Sequence, residues 1–319
     1  MEAVDKAESR FGQRKALIIA GPTASGKSAL ALALAETYGG TIINADAMQC
    51  YQELRVVTAR PSLADEARAE HRLYGVCKAS EPANAAWWRQ QAQNEMERAA
   101  VPIICGGTGM YFSALVNGIA DIPDPGQAAR AEARADLAAI GPAALHARLD
   151  PETAAKLKPQ DSQRVARAYE VLIGTGHGLA YWQARSTSGL QGWQLKMILL
   201  DPPRPALRAA IETRFDKMLE AGAIEEVSAL LAQNLSPDLP LLRAYGVPEL
   251  AAYLRGDMTL AEASARAVLA SFQYTKRQMT WFRHQKLVSD ADTKIIHSQS
   301  SADTKFLESI IGEYSNFIN

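Results

Sequence analysis

The stretch Gly21-Pro22-Thr23-Ala24-Ser25-Gly26-Lys27-Ser28 restricts this chain more than any other. It follows the apolar run Ala16-Leu17-Ile18-Ile19-Ala20, which has the length and branching of a buried strand, and it precedes the Ala/Leu-rich run Ala29 to Thr37, which predicts a helix. Strand, glycine loop and helix in that order are the setting of a phosphate-binding P-loop. The glycines let the backbone bend so that its N–H groups face an oligophosphate, and the helix start adds partial positive charge. Lys27 brings a full charge to the terminal phosphates, and the Ser28 hydroxyl is placed to ligate magnesium. The competing reading, a turn that merely joins a strand to a helix, is disfavoured by the flanking context. The loop alone does not say which phosphate compound it holds.

Further strands follow. Thr41-Ile42-Ile43-Asn44-Ala45 predicts a second buried strand ending at Asp46, Val101 to Cys105 a third ending in Gly106-Gly107-Thr108-Gly109, and Lys196 to Leu200 a fourth ending at Asp201. Functional groups of open α/β sheets sit at the carboxyl ends of strands, so Asp46 is expected to face the crevice of the phosphate loop. Strands separated by helical stretches imply a mostly parallel, helix-covered sheet. Between the third and fourth runs, residues 117–193 carry Ala, Arg and Glu-rich helical stretches punctuated by prolines, and read as a helical insertion. The expected organisation is an α/β P-loop core begun by residues 1–116, the insertion, a core strand with carboxyl-terminal helices over 194–286, and a polar tail over 287–319. Within the third part a helix is expected over Ala206 to Gln233, a short one near Glu249 to Leu254, and a long one from Leu260 to Lys286. On the long helix Val268, Phe272, Met279 and Phe282 form one apolar stripe. From Arg243 to Lys286 seven Lys/Arg face three acids, which by itself describes a solvated helix face as well as a basic patch.

Composition excludes several classes. Over 319 residues with a net charge of -1, no run approaches the ~20 apolar residues of a membrane span, and the polar start has no signal-peptide core. Three widely spaced cysteines, Cys50, Cys77 and Cys105, fit neither a zinc pattern nor a disulfide framework, so a cytoplasmic setting is expected. A P-loop with a carboxylate at the neighbouring strand end suits two chemistries. In a kinase, Asp46 organises magnesium or activates the attacking hydroxyl. In an alkyl transferase, the loop holds a diphosphate leaving group and Asp46 takes a proton from the nucleophile. A non-catalytic RNA-binding protein with a vestigial loop is a third class. The helical insertion and the basic final helix favour a macromolecular substrate.

Six blocks in collinear order narrow this choice. The P-loop, Asn44-Ala45-Asp46 with Met48-Gln49, Thr58-Ala59-Arg60-Pro61, Gly106 to Gly109, Asp161-Ser162-Gln163-Arg164, and Lys276 to Arg283 together resemble the tRNA dimethylallyltransferase family, also called the isopentenyl-tRNA transferases. The resemblance implies transfer of a dimethylallyl group from dimethylallyl diphosphate to the exocyclic amino nitrogen of the adenine 3′ of the anticodon, in tRNAs reading codons that start with uridine. It implies Asp46 as general base, Thr108 beside the substrate, and Arg214 neutralising the departing diphosphate. Gly21 to Ser28 then bind diphosphate or a nucleotide, with Ser28 the Mg2+ contact. It further implies tRNA contacts from Asp46, Ala47, Met48, Gln49, Thr108, Arg130, Gln163, Arg164, Arg167, Arg243, Lys276, Arg277, Gln278 and Arg283, in a cytoplasmic monomer that grips the anticodon stem-loop. Ala47, Arg60, Val247 and Cys50 depart from the residues usual in the family.

Overall fold

The computed structural model describes residues 13–81, 83–297 and 304–318; most of the polar chain start and the Ser/Asp-rich run after His297 lie outside them. Strand β1 (Arg14–Ala20) buries its last five residues and leads into the glycine loop. Helix α1 (Lys27–Tyr38) begins after Gly26, whose φ of 92° is a left-handed conformation that a Cβ disfavours. Strand β2 (Thr41–Asn44) is buried throughout. Helix α2 (Leu63–Arg68) and strand β3 (Glu70–Arg72) follow, then α3 (Ala85–Arg98), β4 (Pro102–Gly106) and α4 (Gly109–Asn117).

Four helices come next. These are α5 (Gly126–His146), interrupted at Gly141-Pro142, α6 (Pro151–Ala154), α7 (Ser162–Thr175) and α8 (Leu179–Gln183). The chain then forms β5 (Trp193–Leu200), α9 (Arg204–Glu220), α10 (Ala223–Leu231), α11 (Val247–Leu254) and α12 (Leu260–His284). Strand β6 (Thr293–Ile296) and helix α13 (Thr304–Ile318) end the described chain.

The six strands form one parallel sheet in the order β3-β2-β4-β1-β5-β6. The near-continuous apolar runs of β1, β2 and β4 suit a sheet covered by helices. One core cluster joins Leu17, Ile19 and Ile103 of the sheet to Leu30 and Leu34 of α1 and to Ile310, Tyr314 and Phe317 of α13. A second joins Tyr51, Leu54 and Val57, after β2, to Phe215, Val227, Leu250 and Ala267 of α9 to α12. Two compact units divide the chain, residues 117–190 and the remainder. The smaller has its own core of Ala133, Leu145, Val165 and Ala168.

Several boundaries differ from the sequence expectation. The expected helix over Ala206 to Gln233 is two helices, parted at Gly222 with φ 95°. The long helix stops at His284 rather than Lys286. Of its expected stripe Met279 and Phe282 are buried, whereas Val268 and Phe272 are only partly covered and Arg204 lies over the Phe272 ring at 4.3 Å. The segment assigned to a polar tail contributes an edge strand and a packed helix: β6 pairs with β5, and the apolar side chains of α13 recur three and four positions apart, so one face enters the core. Strand β3 is too short and charged for an alternation to register.

Candidate active site

The carboxyl ends of β1, β2, β4 and β5 lead into the phosphate loop, Asp46, the Gly106 to Thr108 turn and Asp201, and in a parallel sheet these ends share one rim. Asp46 is set there by Asn44, a buried polar side chain at the end of β2. The Asn44 amide accepts from the Asp46 N–H (2.8 Å) and donates to the Asp46 and Leu73 carbonyls (2.9 and 3.0 Å). Trp88 Nε1 donates to the Asn44 carbonyl at 2.6 Å, and its ring stacks on Tyr111 with centroids 4.5 Å apart. One carboxylate oxygen of Asp46 caps the following turn by accepting the Met48 N–H at 3.0 Å. Thr108 joins β2 to β4: its N–H donates to the Ala45 carbonyl (3.1 Å) and its hydroxyl accepts the Ala47 N–H (3.0 Å).

Lys27 donates from Nζ to the Pro22 carbonyl at 2.6 Å. Burial in the cleft lowers its ammonium to about 8, with the charge of Asp46 opposing the shift and that of Arg214 adding to it. Burial likewise lowers the Arg214 guanidinium, and Asp46 counteracts it. The charges of Asp46 and Arg214 thus both reach the Lys27 ammonium, and that of Asp46 reaches Arg214. Arg214 reaches this neighbourhood from α9 and donates to the Thr58 carbonyl (3.3 Å), which also accepts from Gln49 Nε2 (2.8 Å). The loop bearing Thr58 is anchored by Glu226 of α10, whose carboxylate accepts the N–H groups of Arg55, Val56 and Val57 at 2.6 to 3.0 Å. The Ser25 hydroxyl is 1% exposed and has no hydrogen-bond partner, an orphaned donor inside an anion-binding loop that fits phosphate oxygens.

The remaining expected contacts are exposed or half-buried polar side chains, apart from one buried amide. On α12, Lys276 and Arg277 are exposed; Arg277 donates to the Tyr245 hydroxyl and lies 5.6 Å from the Tyr274 ring centroid. Arg283 donates to Asp201 at 2.9 Å, and exposed Arg243 lies 3.4 Å from Asp238. In the smaller unit Arg130 pairs with Asp124, Arg164 lies 3.4 Å from Asp161, Arg167 pairs with Glu170, and Gln163 is exposed. Gln278 departs from the expectation of an RNA contact: it is 4% exposed, and its amide is occupied by Thr23 and Gly107. Trp281 sits against Gly109, where an added Cβ would come within 2.2 Å of its ring atoms.

Sequence reasoning missed Asn44 and Glu226 as organisers. A polar residue ending an otherwise apolar strand marks the first, whereas no local pattern marks the second. Among the described residues no group of three His, Cys, Asp or Glu converges as a metal cage. Magnesium commonly keeps several waters and binds through phosphate oxygens with one or two protein oxygens. The Ser28 hydroxyl, exposed on the first turn of α1, fits that mode. Among the described residues no helix is long and apolar enough to cross a membrane.

A parallel α/β sheet with a glycine loop after its first strand and a carboxylate at the next strand end defines a P-loop enzyme core. Residues 49–285 match the IPP transferase family model and residues 14–80 the isopentenyl transferase model, so the chain belongs to the IPP transferase family. A curated relative from Acidiphilium cryptum named tRNA dimethylallyltransferase is 60% identical over 309 residues, covering 96% of this chain and 95% of the relative. One of the same name from Gluconobacter oxydans is 53% identical, covering 96% and 94%. The solved full-length tRNA isopentenylpyrophosphate transferase of Bacillus halodurans is 29% identical with a TM-score of 0.67, covering 96% of this chain and 97% of that one. A eukaryotic dimethylallyltransferase solved acting on tRNA is 26% identical with a TM-score of 0.79, covering 96% and 79%.

Proposed function

We propose that this protein transfers a dimethylallyl group from dimethylallyl diphosphate to the exocyclic amino group of the adenosine 3′ of the anticodon, in tRNAs reading codons that begin with uridine. The observation that carries this reading is the Asp46 carboxylate at the same sheet rim as a phosphate loop whose buried Ser25 hydroxyl has no partner. The C–O bond between the allyl carbon and diphosphate breaks, an N–C bond to the adenine amino nitrogen forms, and the amino proton passes to the Asp46 carboxylate. An adenine amino group is a poor nucleophile, so the base must leave its stack for a closed pocket, where Thr108 hydrogen-bonds it or the allylic substrate. Lys27, the loop N–H groups and Arg214 bind diphosphate and oppose the charge that grows on it, the largest contribution expected in such a site. Proton acceptance by Asp46 adds on the order of a hundred- to ten-thousand-fold. The Ser28 hydroxyl would hold a magnesium ion there, which would supply further positive charge against the departing diphosphate.

RNA phosphates are gripped by Arg130, Arg164 and Arg167 of the insertion, with Gln163 beside them, and by Arg243, Lys276, Arg277 and Arg283 of the core. These contacts set register, and residues 46–49 meet the reacting base. The protein works as a cytoplasmic monomer. The test is mass analysis of nucleosides from total tRNA incubated with the protein, magnesium and dimethylallyl diphosphate. Dimethylallyl-adenosine that disappears with Lys27→Ala is the expected result. No such product, with ATP consumed in a parallel reaction, overturns the reading in favour of a kinase.

A further inference from the structure

Helix α12 lies across the rim that holds the site. Three of its residues reach three different strand ends: Gln278 touches the loop after β1 and the turn after β4, Trp281 covers Gly109, and Arg283 pairs with Asp201 after β5. Lys276 and Arg277, immediately before Gln278, are exposed. The helix thus presents cations outward and one amide inward. Gln278 Oε1 accepts the Thr23 N–H at 3.0 Å, and Gln278 Nε2 donates to the Gly107 carbonyl at 2.9 Å. A Cβ at Gly107 would occupy the space of that amide nitrogen, so the glycine admits the contact. Thr23 belongs to the phosphate loop, and Gly107 directly precedes Thr108. One side chain therefore sets the distance between the diphosphate cradle and the Thr108 turn.

We infer that Gln278 is a positioning residue for diphosphate binding, not an RNA contact: its amide braces the phosphate loop against the Gly107 turn from helix α12. The inference rests on reading that loop as a diphosphate site. Removing the amide leaves the buried Gly107 carbonyl and the half-buried Thr23 N–H without their partner, a loss the loop relieves by moving. The cradle then loses its preorganised geometry, and affinity falls.

The test uses full-length protein with inorganic diphosphate and magnesium in calorimetry, and an anticodon stem-loop RNA in a separate binding titration. Gln278→Met is expected to weaken diphosphate binding about tenfold and to leave RNA affinity within about twofold. Gln278→Glu keeps the shape and an acceptor for Thr23, but loses the donor to Gly107 and adds negative charge beside the loop. Its affinity relative to wild type should be lowest at high pH and recover as pH falls, because a protonated carboxyl both sheds that charge and again donates to the Gly107 carbonyl. Loss of RNA affinity in Gln278→Met with unchanged diphosphate binding overturns the inference, as does wild-type affinity for both ligands. If Gln278→Met does not fold, Gln278→Asn, which keeps the donor and the acceptor but withdraws them by one methylene, decides in the same two titrations, and unchanged diphosphate affinity overturns the inference. A wild-type protein that binds diphosphate yet prenylates no RNA removes the proposed reaction and leaves the role of Gln278 standing.

Discussion

The sheet rim and the helical insertion both carry charge, but they hold it in opposite ways. At the rim Lys27 and Arg214 are half-buried, shifted by desolvation, and within reach of the Asp46 charge. In the insertion Arg130, Arg164 and Arg167 each pair with an acid close in sequence, Asp124, Asp161 and Glu170. Exposed local pairs of that kind contribute about 0 to 1 kcal/mol and are screened by salt. A cation held in this way exchanges its carboxylate for a phosphate at little cost. A cation held out of water at the rim is uncomfortable until an anion arrives. The rim is therefore built for one ligand in one geometry, and the insertion for a backbone that presents many phosphates.

The comparison breaks most decisively at Asp46. Asp46→Asn should slow single-turnover transfer by on the order of a hundred- to ten-thousand-fold while stem-loop RNA affinity stays within about twofold. A variant that keeps near-normal rates removes the general-base role. Lys27→Ala comes next, with diphosphate affinity in calorimetry down about a hundredfold, the order expected for losing a charge-assisted contact in a desolvated site.

Asn44→Ala tests whether the rim depends on support behind it. Several buried polar groups lose partners at once, so unfolding should shift by about 3 kcal/mol in denaturant titration, and transfer should slow about tenfold with diphosphate affinity unchanged. Equal losses of transfer and diphosphate binding would instead place Asn44 behind the whole loop. The pH response sharpens the same region. Lys27 titrates at about 8 in the fold against an ordinary value of 10.5, so between those values the unfolded chain binds more protons. Its contribution therefore destabilises the ligand-free fold fully below pH 8 and fades as pH rises towards 10.5, a slope that Lys27→Met should erase in thermal unfolding. Diphosphate affinity moves the other way, falling above pH 8 as the ammonium is lost. The smallest effects belong to the insertion. Arg164→Ala and Arg167→Ala should each weaken RNA binding about three- to tenfold and reduce the salt slope by about 0.7 to 0.9 per lost contact, with diphosphate binding untouched. An unchanged slope takes those arginines out of the interface.

Much of the rim was legible before any coordinates, because its signals are local. A short apolar run, a glycine loop and an Ala/Leu helix define β1, the loop and α1 within about two dozen residues, and the branched run Thr41 to Asn44 places Asp46 at a strand end. The carboxyl-terminal part was harder to read. Strand β6 has four residues and exists by pairing with β5, a partner nearly a hundred positions earlier. The polar run before α13 outweighed an apolar periodicity that becomes meaningful only where α1 and β1 offer a surface.

The amino-acid sequence by itself determined the phosphate loop, the parallel α/β plan, the acid beside the loop and the family, since each depends on residue types at short, ordered spacings. Tertiary structure alone decided which way the residues of α12 face. Successive helical residues are rotated by about 100°, so Arg277 and Gln278 cannot share a direction, and periodicity does not say which of them meets the sheet. Packing answered that question: the Thr23 N–H and the Gly107 carbonyl are matched by an amide, which both donates and accepts, whereas the charged neighbours remain in water. The same reason explains Glu226, whose three backbone partners lie about 170 positions away in the chain and announce nothing in the residues around it.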